Sequence, residues 1–516
     1  YKVGLAYPLE PTRIEAFAQG LSEILVVEEK GAVVETQMRD LFYNAAARPT
    51  IVGKRDAAGR PLVSALGELR PSRLIELVAN WLAARFPELD RRHLVVDFTV
   101  PPLLSNAGDA VKRLPYFCAG CPHNTSTRVP EGSRAQAGIG CHFMASWMNR
   151  DTEGLIQMGG EGVDWVSHAM FTTVPHVFQN LGDGTYYHSG YLAIRQAIAA
   201  GVNITYKILF NDAVAMTGGQ PIDGTLKVPE MTRELDAEGA RRIVVVTDEP
   251  EKYEPPEIKS RLAPGVTVRH RDDLDRIQRE LREVPGCTVI VYDQTCATEK
   301  RRRRKRGTME DPARRVVINE LVCEGCGDCS VQSNCVAVLP LETELGRKRK
   351  IDQSSCNKDY SCLNGFCPSF VTVHGAKLKK GESVAEPADW PALPEPDLPL
   401  TNHPYSIIVT GIGGTGIVTI GAIVAMAAHL EGKGAGVIDM AGLAQKGGAV
   451  YSHIRIANTP DDIHAIRVAA AGADLVLGGD IVVVGNKKVL SAIKPGNTRL
   501  VVNSAEFLPG DFTRNA

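Results

Sequence analysis

At 516 residues the chain is too long for one compact domain, and at ~150 residues per domain three or four are expected. Hydrophobic residues make up 44% and charged residues 23%, an ordinary globular balance that excludes disorder. With 58 Lys+Arg against 60 Asp+Glu the formal net charge is −2, so no global basic field exists to drive nucleic-acid binding.

In chain order, the first hundred residues alternate apolar strands with amphipathic helices. Ile24 to Glu29 reads as a short buried strand, and Pro71 to Phe86 as a helix with apolar positions at helical spacing. Pro101-Pro102 to Gly108 reads as a boundary. A second α/β block follows to about Cys296, with strand-like runs at Ile204–Phe210, Ile243–Thr247 and Thr288–Tyr292. Strands alternating with helices predict a mostly parallel sheet. The six charges Arg301 to Arg306 read as a solvated linker, with a docking surface for an acidic partner as the alternative. A cysteine-rich insert comes next, then a stiff linker carrying Pro387, Pro391, Pro394, Pro396, Pro399 and Pro404. A last α/β block starts at Tyr405. Ser406 to Leu430 lacks Asp, Glu, Lys and Arg and is long enough to span a bilayer. Its glycines break it into strand, turn and helix, so no membrane span is expected. The chain opens at Tyr1 rather than Met and is expected to be a piece of a longer polypeptide.

Gly182-Asp183-Gly184 follows the apolar stretch Val174 to Leu181, and Asn211 ends the strand Ile204–Phe210. A carboxylate and an amide oxygen at the ends of neighbouring parallel strands can converge on one Mg²⁺, a hard cation wanting oxygen ligands and phosphate. Gly182 and Gly184 allow close approach to a diphosphate, and Met216-Thr217-Gly218-Gly219-Gln220 follows. Together these predict thiamine diphosphate and Mg²⁺. Gly159-Gly160-Glu161-Gly162 and His188 lie in loops expected to face the cofactor, and Glu161 and His188 are the candidates for proton handling. A histidine beside a glycine turn also has a plain structural reading.

The twelve cysteines are bunched, seven from Cys323 to Cys367 and three from Cys118 to Cys141. Clustered thiols with no secretory leader in view point to metal in a reducing, cytoplasmic compartment. Cys323-x₂-Cys326-x₂-Cys329 with a remote Cys367-Pro368 is the spacing of a [4Fe–4S] cluster, with zinc as the alternative. Cys335, Cys356 and Cys362 are left over, enough for a second cluster whose fourth ligand is missing or is not a cysteine.

Phe117-Cys118-Ala119-Gly120-Cys121-Pro122-His123, Gly140-Cys141 and Ala215 to Gln220 resemble the thiamine-binding part of the 2-oxoacid:ferredoxin oxidoreductases. The Cys-Pro-His form is most similar to the indolepyruvate:ferredoxin members. The resemblance implies an α/β multidomain chain, divided into five stretches. Residues 1–108 are expected as a transketolase C-terminal-like domain and 109–300 as the thiamine diphosphate domain. Residues 301–385 are the basic linker and ferredoxin-like iron–sulfur segment, and 386–404 the Pro-rich linker. Residues 405–516 are a gamma-type domain, cut short. It further implies Mg²⁺ ligands Asp183, Asn211 and the carbonyl of Ala213, with Thr217 and Gly218 at the cofactor. A proximal cluster is implied on Cys118, Cys121, Cys141 and Cys296, while Cys287 is a plain buried thiol.

Gly411-x-Gly413-Gly414-x-Gly416 after the strand Ile407–Thr410, with Asp439 23 positions beyond Gly416, matches a dinucleotide fingerprint. Against that reading, Gln445 to Arg455 resembles the gamma subunit of the same oxidoreductases, whose glycine turn serves no nicotinamide. The loop is a candidate for holding an anionic part of coenzyme A.

The activity the resemblance implies is oxidative decarboxylation of an arylpyruvate-type 2-oxoacid to acyl-CoA and CO₂. Ferredoxin would accept the electrons, and the chain would act as a homodimer or larger assembly. A non-redox thiamine decarboxylase, or an electron-transfer subunit needing a partner, are the alternatives. No segment reads as the pyrimidine domain that usually carries the activating glutamate.

Overall fold

The computed structural model describes residues 1–46, 48–90, 112–216, 218–222, 224, 226–377, 394–441 and 447–513. The boundary expected at Pro101–Gly108, the linker prolines Pro387 and Pro391, and Gln445 and Lys446 lie outside them. The chain divides into two compact units, Tyr1–Gly108 with Ala469–Gly472, and Asp109–Val468 with Ala473–Ala516.

In the first unit, strands β1 (Glu23–Leu25) and β2 (Thr50–Val52) pair in parallel. Helices Pro11–Ala18 and Val34–Phe42 bury Ile14, Ala18, Val34, Met38 and Phe42 against Ile24 and Val26. The strand is shorter than Ile24–Glu29, because the Glu28 carboxylate turns to accept the N–H groups of Val33, Val34 and Glu35 at a helix start. The helix predicted from Pro71 ends at Ala83.

The second unit is built on a seven-stranded sheet of β3 (Ala135–Gln136), β4 (Thr152–Glu153), β5 (Val177–Gly182), β6 (Ile204–Phe210), β7 (Ile243–Thr247), β8 (Thr267–His270) and β9 (Cys287–Asp293). Their spatial order is β4-β3-β5-β6-β9-β7-β8, and every pairing is parallel. Each residue of β6, β7 and β9 is buried, as expected for central strands covered on both faces. The order places the carboxyl ends of β5, β6 and β9 side by side.

The basic run is not a linker. It forms the end of the helix Ala297–Lys305. Beyond it, β10 (Arg314–Ile318) pairs antiparallel with β13 (Phe370–His374), and β11 (Val338–Thr343) with β12 (Gly346–Ile351). The cysteine-bearing loops lie between these strands.

The last sheet has the order β15-β16-β14-β17-β18, from β14 (Tyr405–Ile412), β15 (Gly434–Ala441), β16 (Ala449–Ala457), β17 (Leu475–Gly478) and β18 (Arg499–Val502). The uncharged stretch Ser406–Leu430 becomes β14, a glycine turn and the helix Ile417–Leu430. Among the described residues no helix is long and apolar enough to cross a membrane. Within this unit a buried Arg113–Asp480 pair, Nη2 to Oδ2 at 2.9 Å and Nε to Oδ1 at 3.0 Å, ties residue 113 to the last sheet. Tyr116 Oη lies 2.7 Å from Asn334 Oδ1 and 2.6 Å from Thr513 Oγ1, joining three distant stretches.

Candidate functional site

Asp183 follows the last residue of β5 and is buried. Its Oδ1 accepts from the N–H of Gly184 at 2.9 Å, and its Oδ2 from the N–H groups of Asn211 and Asp212, each at 2.9 Å. The turn after β6 makes this double donation possible, because Asp212 sits in the left-handed region at φ 57°, a conformation Asp tolerates better than most residues. Burial pushes the Asp183 carboxyl up to about 6, against the pull of its three N–H donors. The Oδ1 of Asn211 is buried with no hydrogen-bond partner. A buried carboxylate beside a buried, unpartnered amide oxygen suits a hard cation, which would satisfy both. Ala213 is buried two residues on, and Gly218 lies on the same loop in the left-handed half of the map at φ 121°. Thr217 lies outside the described residues.

Two side chains not singled out in the sequence adjoin this site. His142 packs beside Gly182 and Gly138, and its Nε2 has no hydrogen-bond partner. Burial, with a smaller push from Lys207, holds its imidazolium down at about 4, so the ring is neutral at pH 7. Asn180 in β5 is buried with both amide atoms unpartnered, and its carbonyl meets Gly138 so closely that no side chain fits there. The available signals were Cys141-His142 and the polar Gln179-Asn180 pair within an apolar strand. Glu161 is fully buried; one oxygen accepts from the N–H of Gly159 at 2.6 Å and the other has no partner. His188 is exposed, with Nδ1 2.6 Å from Ser189 Oγ. Gly159 abuts Ser189, so the Glu161 loop and the His188 turn adjoin.

Four cysteines gather on the neighbouring side. Cys121, Cys141 and Cys296 share an apolar cluster with Ala213 and Ala215, and Cys118 packs against it. Burial pushes the Cys121 thiol well up, reinforced by Cys118, Cys296 and Cys141. The N–H of Cys296 donates to the carbonyl of Asn211 at 3.0 Å, so one hydrogen bond joins the thiol group to the turn that carries the candidate cation ligand. Cys287 lies apart, buried in β9, its thiol pushed up to about 12 by burial.

The arginine-rich helix holds the same loop from outside. Arg302 donates to the carbonyls of Gly218 at 2.7 Å and Gly219 at 3.2 Å, and Arg303 pairs with Asp212 at 2.8 Å. Arg304 donates to the carbonyl of Asn357 at 2.8 Å in the cysteine-rich segment.

In that segment Cys323, Cys326 and Cys329 neighbour one another. Burial raises the Cys329 thiol, Arg349 opposes, and Cys323 and Cys326 add to the rise. Asn319 donates to the carbonyl of Ser369 at 2.8 Å and Cys323 to that of Asn319 at 3.0 Å, bringing the Cys367-Pro368 turn against this loop. Cys335, Cys356 and Cys362 form a second group. Burial raises the Cys362 thiol, and Cys335 and Cys356 reinforce it. Among the described residues, no three His, Cys, Asp or Glu side chains close tightly enough to hold a single metal ion. A cubane, held by thiolates at its corners, asks for ligands set farther apart.

The glycine turn after β14 does not sit in a dinucleotide fold. Strand β16 runs antiparallel between β14 and β15, so Asp439 pairs in register with Ser452 rather than lying on the strand next to the glycine loop.

Residues 1–94 match the family model described as indolepyruvate oxidoreductase domain, and residues 406–516 that described as pyruvate ferredoxin/flavodoxin oxidoreductase. Indolepyruvate oxidoreductase subunit IorA of Thermococcus kodakarensis is 28% identical over 397 residues, 71% of this chain and 55% of that protein. The Pyrococcus abyssi counterpart is 28% identical over 409 residues, covering 73% and 57%. Subunit IorB of Archaeoglobus fulgidus is 30% identical over 109 residues, 21% of this chain and 50% of its own. The chain therefore spans a little over half the length of the IorA relatives. A solved 2-oxoglutarate:ferredoxin oxidoreductase from Magnetococcus marinus aligns over 37% of this chain and 67% of its own at 17% identity. Its TM-score is 0.24, too low to carry an argument. A family model at each end and IorA relatives over about 70% of its length make the chain similar to 2-oxoacid:ferredoxin oxidoreductases.

Proposed function

We propose that this chain is the catalytic and electron-carrying part of an enzyme that oxidatively decarboxylates an arylpyruvate-type 2-oxoacid to acyl-CoA, passing electrons to ferredoxin. Thiamine diphosphate, when bound, supplies the carbanion chemistry at the keto carbon. Asp183, the Oδ1 of Asn211 and the carbonyl of Ala213 would hold its Mg²⁺, with Gly218 beside the diphosphate and Arg302 fixing that loop from behind. Neutral His142, with Nε2 unpartnered, is suited to accept a proton or a hydrogen bond inside the closed site, and Glu161 offers a second buried acceptor. Cys118, Cys121, Cys141 and Cys296 would hold the proximal cluster. Cys323, Cys326, Cys329 and Cys367 would hold another in a ferredoxin-like insert, and a third would sit on Cys335, Cys356 and Cys362. Residues 405–516 act as a gamma-type domain, and the missing pyrimidine-side glutamate comes from sequence or a subunit beyond this chain.

The observation that carries the reading is the Cys296 to Asn211 hydrogen bond, which sets four gathered thiols against the cation turn. A non-redox thiamine enzyme has no use for that juxtaposition. The test is anaerobic purification with assay of thiamine, magnesium, iron and sulfide, followed by viologen-dye reduction across a panel of 2-oxoacids with coenzyme A. Asp183→Ala is expected to lose bound thiamine diphosphate while keeping its iron. A preparation carrying neither thiamine nor iron sinks the proposal.

A further inference from the structure

The loop Cys356 to Cys362 repeats the backbone conformation of the loop Cys323 to Cys329, 33 positions later, with a cysteine at each end. In the first, Gly325 and Gly327 take left-handed conformations at φ 71° and 78°; in the second, Lys358 and Tyr360 do so at φ 55° and 62°. The N–H of Gly325 points to Cys323 Sγ at 3.4 Å, and that of Lys358 to Cys356 Sγ at the same distance. The N–H of Ser330 bonds the carbonyl of Gly327 at 2.9 Å, and that of Leu363 the carbonyl of Tyr360 at 2.9 Å, so both loops enter a helical turn alike. Left-handed Lys and Tyr cost about 1 kcal/mol or more each and persist where the surroundings demand them. Glycine avoids that cost in the first loop.

One cysteine of the first loop has no counterpart in the second. Where the first loop has Cys326, the second has Asp359, giving Cys356-x₂-Asp359-x₂-Cys362. Asp359 lines one pocket with Cys335, Cys356 and Cys362. Its Oδ1 accepts from Arg271 at 2.5 Å and Gln294 at 3.0 Å, and its carbonyl accepts from Arg271 at 2.8 Å. Those bonds leave Oδ2 unengaged while fixing the carboxylate in place.

We propose that Asp359 is the fourth ligand of an iron–sulfur cluster on Cys335, Cys356 and Cys362, its carboxylate oxygen binding the iron that the missing cysteine would hold. This rests on the reading of those three thiols as cluster ligands. Carboxylate is a harder ligand than thiolate, so this iron is the one most readily lost. Arg271 and Gln294 are positioning residues that aim the carboxylate.

The experiment uses the full chain, reconstituted anaerobically with ferrous iron and sulfide and read by metal analysis, EPR and Mössbauer spectroscopy. Asp359→Ala is expected to lose one iron from this cluster and to show the oxidised signal of a [3Fe–4S] centre. Asp359→Cys is expected to keep every iron but to shift the spectrum of this cluster toward all-thiolate ligation. Arg271→Met, which removes the ion pair and the bond to the Asp359 carbonyl but leaves the carboxylate and its Gln294 contact, is expected to leave the iron count unchanged. Spectra of Asp359→Cys and of any folded Asp359→Ala identical to the parent overturn the assignment and leave Asp359 a buried counter-ion. Cys335→Ala and Cys356→Ala separate the premise: unchanged iron, sulfide and spectra in both overturn the three-thiol cluster itself.

Discussion

The clearest residue-scale consequence of burial is Lys207, in the middle of β6. Its ammonium is fully buried, donating to the carbonyls of Ser126 at 2.9 Å and Arg128 at 3.1 Å and to Gln278 Oε1 at 3.2 Å. Burial pulls it down from 10.5 to about 7, with Arg150 adding a little. Between those values the unfolded chain holds a proton that the folded chain has released, so stability rises with pH across that window. The difference in unfolding free energy between the parent and Lys207→Met is expected to grow by ~1.4 kcal/mol per pH unit from about pH 7 to 10. Denaturant titrations at each pH measure it, and a flat difference would show that Lys207 stays charged. From sequence Ile204–Phe210 read only as a strand-like run, and no local signal said that its lysine would be buried and feed loop carbonyls.

Among the elements, the helix Ala297–Lys305 changed its meaning most. Six like charges in a row suggested a solvated linker, yet the i,i+3 and i,i+4 partner Glu299 takes Arg302 at 2.7 Å and Arg303 at 3.2 Å. That partly neutralises the run and lets it lie across the loop after β6. Arg302→Ala removes two donors from loop carbonyls, each worth ~1–2 kcal/mol for a charged donor. Affinity for thiamine diphosphate is expected to fall about tenfold or more with iron content unchanged, by calorimetric titration of the holoprotein stripped of thiamine. Arg302→Lys is expected to rescue only in part, since one ammonium cannot reproduce the fork onto Gly218 and Gly219.

At the scale of the larger unit, contacts far apart in sequence hold the cysteine-bearing segment and the last sheet to the seven-stranded parallel sheet. Arg113 and Asp480 are both buried and bond twice. Arg113→Ala leaves the Asp480 carboxylate buried without its cation, an arrangement that costs ~3–5 kcal/mol. The transition measured by thermal or urea unfolding is expected to move accordingly, and the double variant Arg113→Met with Asp480→Leu to recover most of the loss. A small effect from the single variant would mean that the junction opens to water.

The sequence alone determined the strands β6, β7 and β9, the mostly parallel character of their sheet and the spacings Gly182-Asp183-Gly184 and Cys323-x₂-Cys326-x₂-Cys329, because burial patterns and turn chemistry act locally. Proximity across the fold was decided by tertiary structure. Strand order set Asn211 between Asp183 and Cys296, folded the arginines back onto Gly218 and Gly219, and brought Cys335 to the loop that carries Cys356 and Cys362. It also put β16 between β14 and β15, removing the geometry that the glycine pattern near residue 411 had suggested. Spacing along a chain fixes which residues share a turn; which turns meet is fixed by how sheets and helices pack, and that information is spread over hundreds of residues.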